Sequence, residues 1–275
     1  MVGCTWGRGR PASRSTGVAE VDLAENRLKT RLQAGEVLTG LWLSSASSLL
    51  AELAGRAGFD WCLIDGEHSP QSLPDMLPVL QALAATPTPA VVRIPAAEDW
   101  MVKQALDLGA HAVLVPLVHD AETAARMASA MRYPPDGHRG MGAAMARASG
   151  FGEVASYVHQ ANRNACLIVQ AESRAALDDI DAIAAVEGVD GVFVGPADLS
   201  ADMGFVGQLE HPTVDAAIDH IIARTHAAGK FAGVLTFNPD RIARYRTMGV
   251  EFLGVGGDVA VLAKALRALA QAARG

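Results

Sequence analysis

Cysteine is nearly missing from this chain: Cys4, Cys62 and Cys166 are the three in 275 residues. They are too few and too far apart for a disulfide scaffold. Cys62 and Cys166 sit inside apolar runs, where a free thiol acts as a small hydrophobe, and that usage fits a reducing, cytoplasmic compartment. Positive charge is also in short supply. The 23 Lys and Arg against 30 Asp and Glu leave a net charge of −7, which excludes a nucleic-acid surface built on clustered cations. No run approaches the roughly 18 apolar residues of a membrane span. The opening MVGCTWGRGRPASRSTG is rich in Gly, Arg and Ser and lacks the apolar segment of a secretory signal. Residues 1–24 therefore read as an extension, and 25–275 as one folded domain.

What the chain has is apolar material. Half the residues are hydrophobic and 19% are charged, enough for a large core and too apolar for disorder. From Val37 onward, eight short β-rich runs follow one another: VLTGLWL, FDWCLID, PAVVRIP, HAVLVPLV, ACLIVQAE, DGVFVG, KFAGVLT and EFLGVGG. Each leads into a stretch with apolar residues three and four apart, the helical period. Gly58, Gly109, Gly188, Gly229 and Gly249 stand where such helices should end in C-caps. The strands are continuously apolar rather than alternating, as a parallel sheet covered on both faces requires. Eight units in about 240 residues match an α/β fold of the (β/α)8 TIM-barrel type. A doubly wound sheet is disfavoured, because LWLSSASS, not a Gly-rich phosphate loop, follows the first strand. One connection is long, Tyr133 to Asn164 before strand five; such an insertion caps an active site or reaches a neighbouring subunit.

Barrel chemistry gathers at the C-terminal strand ends. There the sequence places Trp42, then Asp65, Glu67 and His68, then Arg93, Gln170 and Glu172, Asp198 in GPADLS, and Leu235. Glu172 and Asp198 lie one βα unit apart, and two carboxylates with open positions suit a hard divalent ion such as Mg²⁺ or Mn²⁺. Singly, each has a plain alternative, a helix N-terminal acid for Glu172 and an N-cap or turn for Asp198. Together on one face they favour the metal. His and Cys spacing of the structural-zinc kind is lacking. Arg93, carried on a buried strand, suits a carboxylate or enolate oxygen; its bland alternative is an ion pair at the rim, with Asp107 as partner. His68 could be a turn residue, but Asp65 three residues earlier could bond one ring nitrogen and leave the other free for proton transfer. Neither Lys103, within a helix, nor Lys230, ahead of strand seven, sits at a strand's C-terminal end; this argues against Schiff-base chemistry. The final segment VAVLAKALRALAQAARG is strongly apolar, which fits either a packed barrel helix or a subunit contact.

The motifs LIDGEHSP, VVRIP, RYPPDGHRGMG, QAES and VGPADLSADMG together resemble the HpcH/HpaI aldolase family of metal-dependent pyruvate aldolases. The resemblance runs from about Gly40 to the C-terminus. It implies reversible retro-aldol cleavage of a 4-hydroxy-2-oxo acid, such as 4-hydroxy-2-oxoheptane-1,6-dioate in aromatic catabolism, to pyruvate and an aldehyde. The alternatives are a 2-dehydro-3-deoxyglucarate-type sugar-acid aldolase and a citrate-lyase-like CoA-ester lyase, the latter needing a nucleotide surface. A catalytically silent sugar-acid binder would have no use for the proton-transfer residues. The resemblance further implies that Glu172 and Asp198 hold the divalent ion, Mg²⁺ or Mn²⁺ with Co²⁺ also compatible. Arg93 would hold the pyruvyl oxygen, His68 would transfer protons oriented by Asp65, and Asp107 would act at a subunit boundary. Gln170 and the backbone of Gly195, Pro196 and Ala197 would contact the 2-oxo acid, with Trp42 and Leu235 beside it. Glu67 is left as a partner of water near the ion. The expected assembly is a homo-oligomer, a hexamer built as a dimer of trimers, that exchanges its last helix.

Overall fold

A strand without a polar face must be covered on both sides, and the eight apolar runs meet that need by closing on one another. The computed structural model describes residues 25–274; the extension expected over 1–24 lies outside the described residues. The chain enters with α1 (Arg27–Gln33) and β1 (Leu38–Leu43), followed by α2 (Ser48–Gly55), β2 (Trp61–Asp65), α3 (Met76–Ala84), β3 (Ala90–Arg93), α4 (Asp99–Asp107) and β4 (Ala112–Val115). It continues through α5 (Ala121–Ala130), two short 3-10 turns, α6 (Tyr157–Asn164), β5 (Leu167–Ala171), α7 (Arg174–Asp178), α8 (Ile180–Ala185) and β6 (Gly191–Val194). It ends with α9 (Pro196–Asp202), α10 (Pro212–Ala227), β7 (Phe231–Leu235), α11 (Pro239–Thr247), β8 (Phe252–Gly257) and α12 (Asp258–Ala272). All strand pairs are parallel and β1 also pairs with β8, closing a barrel in sequence order. This is the expected (β/α)8 architecture.

Because side chains alternate along a strand, the sequence sorts itself into two cores. Trp61 and Leu63 of β2, Val91 of β3, Ile168 of β5 and Phe193 of β6 fill the barrel interior. Their neighbours Cys62, Ile64, Val92, Val169 and Val194 pack outward against the helices. Leu28 and Leu32 of α1 join the interior cluster and plug its N-terminal end. Trp61 stacks on Phe252 at 3.8 Å, and Trp42 meets Trp61 and Phe193 at 5.8 and 5.4 Å. Each such pair adds about 0.5–1.5 kcal/mol beyond its area. Gly254 makes room for them, since a Cβ there would lie 2.9 Å from the Trp42 ring. The five glycines expected as helix stops all have φ between +72° and +96°, the left-handed turn that glycine adopts at least cost.

Two expectations are resolved by position. The Tyr133–Asn164 connection follows α5 and precedes β5, so it lies at the N-terminal end of the barrel, where Arg147 donates to the Leu108 carbonyl at the end of α4. It therefore cannot cap this chain's own strand-end mouth. The last helix, α12, buries only its first residue, Asp258. Val261, Leu266 and Leu269 are 60%, 56% and 68% exposed, so α12 is not packed on the barrel wall as one reading of its apolar pattern allowed. Among the described residues no helix is long and apolar enough to cross a membrane.

Candidate active site

The alternation that fills the core also builds the site. Continuing the inward positions past the hydrophobic layer brings Trp42 and Ser44 from β1, Asp65 from β2, Arg93 from β3, Gln170 and Glu172 from β5, Gly195 from β6 and Leu235 from β7 to one end. A cavity of about 580 Å³ opens there, bordered by Trp42, Asp65, His68, Arg93, Gln170, Gly195, Pro196, Ala197, Asp198 and Leu235. A second cavity of about 460 Å³ lies at the opposite end, beside Asn26 and His111, and holds none of these residues.

Asp65 and Arg93 face each other in register on β2 and β3. The guanidinium donates through Nε to Asp65 Oδ1 at 2.9 Å and through Nη2 to Oδ2 at 2.8 Å, a fork that a carboxylate matches in shape. Its third nitrogen, Nη1, stands 2.7 Å from Glu67 Oε2; this is a charge contact outside hydrogen-bond alignment, since Oε2 has no hydrogen-bond partner. Burial pushes the Asp65 carboxyl up, but the Arg93 bonds and charge, with the amides of Glu67 and His68, outweigh it and hold Asp65 below its ordinary range. Burial dominates at Glu67, which is raised despite Arg93 and His68.

This geometry corrects one expectation. Asp65 does not hold the His68 ring: its oxygens face the Arg93 guanidinium and the backbone of the turn. It accepts instead from the backbone N–H of His68 at 3.2 Å and of Glu67 at 3.0 Å, so it shapes the turn that carries the imidazole. The ring is open to the cavity, with Nε2 3.9 Å from Glu67 Oε1. Arg93, for its part, pairs with Asp65 and Glu67 and not with Asp107. Asp107 ends α4 at the other end of the barrel, where it accepts from Arg139 Nη2 at 2.6 Å. Within one chain it is not brought to the site.

Glu172 is 2% exposed. Its Oε1 accepts from the Leu117 amide at 2.8 Å and its Oε2 from Gln170 Nε2. Burial, with Asp198 and Glu67 adding repulsion, raises its carboxyl to about 7 despite these two donors. Asp198 sits in the first turn of α9. Among the described residues no three His, Cys, Asp or Glu side chains converge tightly enough to cage an ion alone. The donor set nevertheless fits a hard divalent cation with open positions. Three carboxylates, Glu67, Glu172 and Asp198, interact across the site. Gln170 Oε1 is a buried acceptor without a hydrogen-bond partner. Gly195 keeps the approach clear, since a Cβ there would collide with the Glu172 carboxylate and lie 2.9 Å from Gln170 Nε2.

Some site residues escaped the sequence reading. Asp258, 8% exposed, accepts from the amides of Ser44 at 2.9 Å and Ser45 at 3.2 Å and so fixes the turn after β1. Its signal was its place just after the Gly-rich end of strand eight. Ser44 Oγ reaches Asp65 Oδ2 at 3.4 Å, and Phe193 lines the floor; neither residue type announces a site.

Comparisons with known proteins bear on this arrangement. A family model described as HpcH/HpaI aldolase/citrate lyase matches residues 38–265. A hydroxypyruvate/pyruvate aldolase of Agrobacterium fabrum is 53% identical over 251 residues, covering 91% of this chain and 94% of the relative. A 4-hydroxy-2-oxo-heptane-1,7-dioate aldolase of Salmonella dublin is 47% identical over 246 residues, covering 90% and 94%. The crystal structure of an HpcH/HpaI aldolase/citrate lyase family protein from Burkholderia cenocepacia superposes with a TM-score of 0.87 at 40% identity, covering 91% of this chain and all of that one.

Proposed function

The chain belongs to the HpcH/HpaI aldolase/citrate lyase family, and from that premise we propose that it is a divalent-metal-dependent pyruvate aldolase. It cleaves 4-hydroxy-2-oxo acids reversibly to a pyruvate-type 2-oxo acid and an aldehyde. The observation that carries this reading is one cavity bordered by an anchored guanidinium, an open imidazole and Asp198, whose charge also reaches the buried Glu172 carboxylate. The relatives' names add pyruvate and hydroxypyruvate as candidate 2-oxo acids and a heptanedioate as candidate substrate. Its carboxylates at positions 1 and 7 are the two ends of a seven-carbon chain.

Glu172 and Asp198 would hold a divalent ion, Mg²⁺ or Mn²⁺, which when bound would supply Lewis-acid polarisation of the 2-oxo group. Arg93, immobilised by Asp65, presents a fixed positive charge to the oxygen on which enolate charge collects as the C3–C4 bond breaks. Preorganised donors of this kind contribute about 3–4 kcal/mol each. His68 removes the C4 hydroxyl proton as the aldehyde carbonyl forms, and returns a proton to C3 of the enolate to release the 2-oxo acid. Glu67, 3.9 Å from the ring nitrogen, stabilises the imidazolium between these steps. Gln170 and the backbone of Gly195, Pro196 and Ala197 orient the 2-oxo acid, with Trp42 and Leu235 packing beside it.

The same reading extends to assembly. The apolar face of α12, together with Leu49 and Leu53 of α2 at 67% and 60% exposure, supports a homo-oligomer that covers these surfaces. A hexamer, a dimer of trimers with exchanged last helices, is the form proposed. Asp107, remote from its own mouth, would then serve a neighbouring subunit's site. A cytoplasmic location is in keeping with Cys62 and Cys166, two buried free thiols. The test is a coupled pyruvate-release assay with Mn²⁺ across a panel of 4-hydroxy-2-oxo acids. Release from at least one of them is expected, and no release from any refutes the aldolase reading.

A further inference from the structure

We infer that Leu117 is a positioning residue for the candidate metal centre: its left-handed backbone turns an amide donor onto Glu172 and fixes how that carboxylate can meet a cation. The inference rests on the reading of Glu172 as an ion ligand. Leu117 follows Pro116 just beyond β4 and has φ of +53°, a conformation disfavoured for any residue that carries a Cβ. No core packing forces it, because the side chain is 47% exposed at the rim.

The local hydrogen bonds explain the turn. The β4–β5 ladder runs as far as Val115 opposite Val169. Pro116 has no N–H to offer, and the Val118 amide resumes pairing with the Gln170 carbonyl at 3.1 Å. Between them the Leu117 amide leaves the ladder and donates to Glu172 Oε1 at 2.8 Å. Glu172 Oε2 accepts from Gln170 Nε2, so each carboxylate oxygen holds one donor and the group cannot rotate freely. Oε2 borders the space that Gly195 leaves open by having no Cβ. Partners that orient an ion ligand in this way typically matter about 10- to 100-fold in affinity.

The test uses the purified full chain, Mn²⁺ titration followed by electron paramagnetic resonance, and thermal melts of the ion-free proteins. Leu117→Pro removes the donor and forbids the positive φ, whereas Leu117→Gly keeps the donor and adopts that φ at low cost. The proline variant should bind Mn²⁺ roughly 10- to 100-fold more weakly, and the glycine variant within about twofold of the wild type. A proline variant that folds and binds like the wild type overturns the inference. So does a glycine variant as weak as the proline one, because the side chain would then carry the effect. If Leu117→Pro does not fold, hydrogen exchange at the Leu117 amide decides: Glu172→Ala should speed it, and an unchanged rate overturns the contact. A wild-type protein that takes up no Mn²⁺ refutes the metal reading itself, and the exchange comparison still judges Leu117.

Discussion

Replacing Arg93 with alanine should damage both the fold and the chemistry, in separable amounts. Arg93 and Asp65 have side-chain exposures of 8% and 2%, and Glu67 at 12% shares the same guanidinium. Removing the cation leaves buried Asp65, and beside it the partly buried Glu67, without compensation, a loss of about 3–5 kcal/mol for the broken Arg93–Asp65 pair. Against a typical net stability of roughly 5–15 kcal/mol the variant still folds, with Tm lowered by about 6–20 °C for a domain of this size. Turnover should fall by a further factor of about 10²–10³ at temperatures where the variant is fully folded, the usual cost of one missing oxyanion donor. Differential scanning calorimetry and single-turnover kinetics on the same preparation separate the two. The pH dependence has a definite sign. Asp65 is held below its ordinary range in the folded state, so its contribution is present above the unfolded carboxyl value of about 3.9 and is lost as pH falls through the folded one. The Tm gap between wild type and Arg93→Ala should therefore narrow in acid. A variant whose Tm matches the wild type at neutral pH would refute the buried-pair account.

Three other outcomes follow from the geometry. Gly195→Ala should lose most of its turnover and about 1–3 kcal/mol of stability, because its Cβ meets the Glu172 carboxylate and the Gln170 amide; kinetics and a melt check it, and a fully active variant argues against the crowded cradle. His226 is raised by its hydrogen bond to Glu251, which outweighs burial. Its contribution is thus full below its unfolded value of about 6.5 and fades as pH rises, so His226→Gln should lower Tm more at about pH 5.5 than at about pH 9. Leu266→Asp with Leu269→Asp on α12 should reduce the mass seen by light scattering, and an unchanged assembly would show that α12 is not the contact.

The barrel was legible because its strands are buried on both faces. Continuous apolar runs fit a parallel sheet covered on both faces, and each of the eight strands starts within two residues of its expected start. The inward set, Asp65, Arg93, Gln170 and Glu172, could also be read off, since strand alternation is a local rule. What could not be read were partners. Asp65 has two oxygens and the sequence offers both a ring three residues away and a guanidinium 28 residues away; only the register of β2 on β3 makes the guanidinium the nearer. The place of the Tyr133–Asn164 insertion depends on which barrel end an α-to-β connection occupies, and this removes it from its own mouth. An apolar stripe such as that of α12 is the same whether a barrel wall or another subunit covers it. Leu117 gave no signal, because a left-handed leucine looks like any leucine in sequence.

The most direct measurement is pyruvate release from a turned-over 4-hydroxy-2-oxo acid before and after exhaustive chelation, followed by Mn²⁺ add-back, in wild type and Glu172→Gln. Activity should vanish on chelation, return with Mn²⁺ in the wild type, and stay absent in Glu172→Gln. Undiminished release from the chelated wild-type protein would contradict the account.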